Sequence, residues 1–219
     1  MKKESGALLE VCICLFCIIA AILILLWGVS MRRIRTAYAL AEDSLTASLL
    51  GGAVADIKRY GTDHTLVVTS GTGAEADLNG LKESYGRFTD TLRTNLQLNN
   101  QFLPLTDTYV QSVITVHAYI IYNVDPNYRE EGGEKVLVTV SAYREEEEQA
   151  GIGSGTFLTE GRYVYDRIGD IDLKTPNGVP IEATTLYGDI GFMINSFAGR
   201  QEYVHVRQAV DMIQEEEAR

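Results

Sequence analysis

Glu10 stands directly before 19 uncharged residues, 11–29, rich in Ile, Leu and Cys. A carboxylate at the lip of such a run is costly unless it is paired or reaches water, so it is the first residue that asks for a chemical role. The histidines come next: His64, His117 and His205. His117 and His205 each sit inside a β-branched run. Two strand histidines could share a metal, and two isolated sheet residues are the plainer reading. "EADLNG" sets Glu75, Asp77, Asn79 and Gly80 at positions one, three, five and six of a calcium loop, but position twelve is Gly86, where that loop needs a bidentate Glu. A helix N-terminus accounts for these acids better. "GIGSGT" (151–156) has neither the lysine of a phosphate loop nor the GxGxxG spacing, and reads as a connector. Glu145 opens a run of four acids, 145–148, which reads as solvated charge. No serine carries a hydrolase elbow around it. Cys12, Cys14 and Cys17 all lie inside the apolar run. The rest of the chain therefore has no disulfide, no Cys-based zinc site and no thiol nucleophile. Within the run these cysteines read as small apolar residues, mostly too deep for an acylation site at the membrane edge. No cofactor or metal motif is complete, so the expected function is non-enzymatic. An envelope enzyme would have to build its site from scattered acids such as Asp166, Asp170 and Asp172.

The elements that position these residues begin with the run itself. Nineteen helical residues span about 28 Å, close to the ~30 Å apolar core of a bilayer, and Trp27 near the far end suits an interface. A cleaved secretory signal is the alternative, with Lys2 and Lys3 as its basic start and Ala37-Tyr38-Ala39 as its cut site. The run is longer than such signals use, and Arg32, Arg33 and Arg35 crowd the cleavage region. Basic residues flank both ends of the run, so charge alone does not orient it. Of 19 basic residues five precede position 36, and of 30 acidic ones two do, leaving 14 against 28 and a net of −14 for residues 36–219. Such a domain is repelled by nucleic acid and by anionic lipid.

Ile34, Tyr38, Ala41, Leu45 and Leu49 form one helical stripe, so the helix is expected to extend over 31–60, with Gly51-Gly52 as the weak point. Residues 65–70 read as a short strand, and 75–98 as a second helix with Leu78, Leu81, Tyr85, Phe88, Leu92 and Leu96 on one face. Residues 109–124 and 135–143 read as a hairpin, 161–168 as another strand, 175–180 as an Asn-Gly turn, and 183–194 and 202–213 as two closing strands. The expected class is α+β: a leader-like segment (1–10), a transmembrane helix (11–30), its extension (31–60), and an extracytoplasmic domain (61–219) with a second helix and a mostly antiparallel sheet.

"KKESGALLEV" joins a basic leader, Gly6, a small residue and Glu10 at the mouth of an apolar helix. This resembles the type IV pilin-type leader, and more narrowly the TadE-like pseudopilins of bacterial tight-adherence (Tad) pilus systems. The β-rich end, "TPNGVPIEATTLYGDIGFMINSF" and "EYVHVRQAVDMI", is similar to the C-terminal region of pilus-associated proteins from Gram-positive bacteria. The resemblance implies a non-enzymatic pilus subunit or assembly factor, cut between Gly6 and Ala7 by a prepilin peptidase. It also implies a role for Glu10 in pairing with the freed amine and setting register between packed helices. Its partners would be the membrane and other pilus or envelope proteins. Type IV pilins carry the glutamate fifth in the mature chain; Glu10 would be fourth. An unprocessed, membrane-anchored binding or sensory module is the other reading of the same features.

Overall fold

The computed structural model describes residues 2–55, 61, 68, 71–72, 75–76, 78–105, 110, 112–130, 133–145, 155–166, 171–195 and 200–212. His64, Asp77, Asp170, residues 151–154, most of 65–70 and the last seven residues lie outside these. The chain opens with one unbroken helix, α1 (Lys2–Gly52), 51 residues long, or about 77 Å. It contains no proline, and it changes character along its length. Over 11–29 the large apolar side chains point to solvent on every side, Phe16 at 72% and Leu25 at 69% exposure. This stretch is long and apolar enough to cross a membrane. From Ser30 onward one stripe turns inward: Ser30, Ala37, Ala41, Ser44, Leu45, Ser48 and Leu49 are buried, with Ile34 packed against the same core. Tyr38, expected in this stripe, faces out, and Ala37 takes its place. The inward face is built of small residues that let the helix lie close to the sheet.

Residues 56–60 of the expected extension lie outside the described residues, and α1 ends at Gly52. Its last turn packs too tightly for side chains: a Cβ on Gly51 would meet Thr91 Oγ1 at 2.6 Å, and one on Gly52 would meet Tyr119 and Phe88. The Ser84 hydroxyl donates to the Gly52 carbonyl at 2.5 Å and caps this end. Ala53 and Val54 lie outside the helix, with Val54 N–H turned back to the Gly52 carbonyl. Two short strands follow, β1 (Gly71–Thr72) and β2 (Glu75–Ala76), paired with each other. Glu75 is thus in a strand and not at a helix start. The second helix, α2 (Leu78–Asn95), is shorter than expected and has no acid in its first turn. Leu81, Phe88 and Leu92 are buried as its periodicity requires.

The rest is a sheet of five long strands: β3 (Thr115–Asp125), β5 (Gly133–Arg144), β6 (Thr156–Asp166), β7 (Thr184–Asn195) and β8 (Gln201–Met212). Their order is β6-β5-β3-β7-β8, every neighbour antiparallel, and the two-residue β4 (Arg129–Glu130) pairs with the start of β5. The expected hairpin is β3–β5, in register from Ala118↔Arg144 to Asp125↔Leu137. The Asn-Gly turn closes between bridged Lys174 and Pro180, with Gly178 at φ +86°, a conformation that favours glycine. Both helices cover one face, over Leu186, Ile190 and Phe192 of β7 and Val204 and Val206 of β8. Ile171, Leu173 and Ile181 cover part of the other face, over Tyr122, Val124 and Tyr187.

Candidate functional site

The opposite end of that outer face carries a cluster of polar side chains. It exists because β3 breaks its alternation. Ile114 and Val116 point to the helices, and so do Tyr119 and Ile121, so one extra residue must intervene. The register with β7 slips between Val116 and Ala118, making His117 the extra residue of a β-bulge, a device that re-aims a side chain. His117 turns outward, above Gly191. A Cβ on Gly191 would run into the Tyr203 hydroxyl and lie 2.7 Å from His117 Nε2, so glycine leaves the space the cluster occupies. His205 stands opposite Gly191 on β8, and the two imidazole centroids are 5.0 Å apart.

The hydrogen bonds assign each ring a role. His117 Nδ1 lies 2.7 Å from Glu145 Oε2, and Nε2 lies 2.5 Å from the Tyr203 hydroxyl. A carboxylate only accepts, so Nδ1 carries a proton, and in the neutral ring Nε2 accepts from the phenol. His205 Nε2 faces Asp189 Oδ1. Its Nδ1 lies 3.1 Å from Arg207 Nη2, which only donates, so here Nε2 carries the proton. Arg207 Nε also donates to Asp189 Oδ2 at 3.1 Å, and the Tyr187 hydroxyl donates to the same oxygen at 3.4 Å. The two carboxylates are the covered members, 10% exposed for Glu145 and 11% for Asp189, against 31% and 34% for the histidines. Burial first, and then the charges of Asp189 and Glu145, raise the Tyr203 phenol above its ordinary value.

Glu145, His117 and Tyr203 have the order of a carboxylate–imidazole–hydroxyl relay. The raised phenol opposes its use as a nucleophile, since it favours the protonated form. Among the described residues, no group of His, Cys, Asp and Glu has the arrangement to hold a metal ion. A cavity of about 520 Å3 lies elsewhere, against Asp90, Arg93, Gln97 and Leu105 at the end of α2. What the cluster does in the fold is to tie edge strand β8 to β7, to β3 and to the residue that follows β5.

No family model, curated protein or solved structure matches this chain. The residues singled out from sequence are therefore placed by geometry alone. Gly6 and Ala7 fall within α1, and Glu10 is exposed on it at the start of the apolar stretch. Asp166 ends β6, and Asp172 is exposed with Lys174 4.0 Å away. His117 and His205 do come together. Glu145, which reads in the sequence as solvated charge, is one of the most covered carboxylates. Asp189, Tyr203, Arg207 and Gly191 carried no motif. The one signal for them was the phase break of apolar positions around His117.

Proposed function

We propose that this protein is a non-enzymatic, membrane-anchored, pilin-like subunit or assembly factor of a Tad-type pilus. The observation that carries the reading is the single helix α1. One half exposes apolar residues all round, and the other lies on an antiparallel sheet without a break between them. A chain so built can pass its exposed half from a bilayer to the matching halves of other copies, because apolar side chains on every side pack equally well against lipid or helix. On leaving lipid, Glu10 would need a partner, and an amine at a new terminus on Ala7 supplies one of opposite charge.

The test is the N-terminal peptide of protein purified from its native membrane, read by mass spectrometry. A terminus at Ala7 supports processing by a prepilin peptidase and the register role of Glu10. An intact Met1-containing chain removes the pilin reading and leaves an unprocessed anchored binding module. As a second arm, Glu10→Ala is expected to abolish co-purification with pilus components while leaving the sheet folded. Unchanged co-purification would count against the register role.

A further inference from the structure

The direction of α1 across the sheet identifies which end of the domain meets the membrane. Just past the helix, Ala55 bridges Val68. Val68 is held through both its N–H and its carbonyl by the amide of Asn123, near the far end of β3. The helix therefore runs toward that far end. Its membrane half lies on the side where β3 begins, β7 ends and β8 begins. No spacer separates the two parts, since Ser30 is buried and Ile34 packs on the core within a turn or so of the apolar stretch.

Two kinds of exposed side chain gather at this end. Tyr203 is 53% and Val113 38% exposed. Leu105 is 64% exposed and follows Phe102, whose carbonyl accepts from Ile114 N–H just ahead of β3. Val113 is placed by Ser112, whose hydroxyl accepts from Met193 N–H at 2.8 Å. Arg32, Arg33 and Arg35 on α1 and Arg200 at the start of β8 are exposed, with Glu202 the exposed acid beside them. Residues 36–219 carry a net −14, so this local excess of cations runs against the balance of the domain.

We propose that this end is a membrane-surface contact: Tyr203, Val113 and Leu105 enter the interfacial layer, and the four arginines hold anionic lipid headgroups. Apolar and aromatic tips between cations match the headgroup boundary. The acidic remainder, repelled by the same surface, holds the rest of the domain away from it. The inference rests on α1 spanning a bilayer and is independent of the pilus assignment.

The experiment uses the full chain in nanodiscs of phosphatidylcholine alone or mixed with phosphatidylglycerol. Backbone hydrogen exchange is read over residues 200–206, with 140–144 of β5 as the internal control. Exchange over 200–206 is expected to slow in the anionic discs, to recover in high salt, and to leave β5 unchanged. Arg200→Gln should remove about fivefold of that slowing, the effect of one cation at an anionic surface. Equal exchange in both lipids, or slowing that survives replacement of all four arginines by Gln, overturns the contact. A chain that cannot be recovered in discs at all overturns the spanning reading and the contact with it.

Discussion

The two faces of the sheet are built on different principles. The helix face is dry and closed: Leu45, Leu49, Leu81, Phe88, Leu92, Ile190 and Val206 are all fully buried. Ser84 Oγ meets the Tyr119 hydroxyl there at 2.7 Å, while the buried Tyr85 hydroxyl has no hydrogen-bond partner among the described residues. The outer face carries a buried apolar cluster of its own, with Ile120, Val138, Val140, Ile181 and Tyr187, and around His117 and His205 it turns to hydrogen bonds and ion pairs. The helix face thus holds the larger of the two buried apolar clusters, and the outer face holds the imidazole–carboxylate cluster. Mutations should separate them.

Phe88→Ala should show the largest effect. Phe88 is fully buried, 4.6 Å from Tyr119 between ring centroids, and its loss should cost about 3–5 kcal/mol in denaturant unfolding. A cost as small as that of an exposed residue would break the claim that this face holds the fold. Gly188→Ala follows. A Cβ there would meet Leu45 and Leu49 at 2.9 and 3.0 Å, and overpacking of this kind costs about 1–3 kcal/mol. On the outer face, Asp189→Ala should cost about 1–3 kcal/mol, since Arg207 and Tyr187 lose the oxygen they share and His205 loses its ion-pair partner. Its signature should differ: NMR of His205 and Tyr203 should change while the α1 resonances stay in place. If α1 shifts as much as His205, the two faces are not independent. The smallest effect belongs to Arg87→Ala, whose exposed pair with Glu83 at 2.9 Å should be worth less than about 1 kcal/mol.

Alkali sharpens the comparison because it attacks both faces at once. Burial raises the phenols of Tyr119 on the helix side and Tyr187 on the outer side, and pushes Tyr122 up to about 12 from 10.0. A raised folded pKa means that the unfolded chain releases its protons first. Stability is whole below about pH 10 and drains as pH rises toward 12. Tyr122→Phe should lessen that loss in pH-dependent unfolding; an unchanged alkaline profile would remove Tyr122 from the account.

Much of the helix face was legible from the chain. Leu81, Phe88 and Leu92 recur at helical spacing, β5 alternates, and Asn177-Gly178 marks a turn, all of which are local signals. The misreadings also had local causes. Tyr38 keeps the period of the stripe, but Ala37 is the residue buried there and Tyr38 is exposed. Glu75 looks like a helix-start acid because acids suit that dipole, yet its backbone pairs with β1. The outer cluster was illegible for a different reason. His117 and His205 are brought together by a bulge and by the β7–β8 pairing, and neither leaves a spacing to read. Glu145 stands in a run of four acids, and its contact with His117 comes from the fold, which the run does not show.

The unbroken helix also has a mechanical consequence. With no proline in α1 and domain packing under way by Ser30, there is no joint at which the sheet can swivel against the anchor. A membrane-spanning segment longer than its bilayer is thick tilts to fit, and if α1 spans a bilayer the sheet tilts by the same angle. Bilayer thickness would then set the pose of the whole domain, as a lever set by its socket.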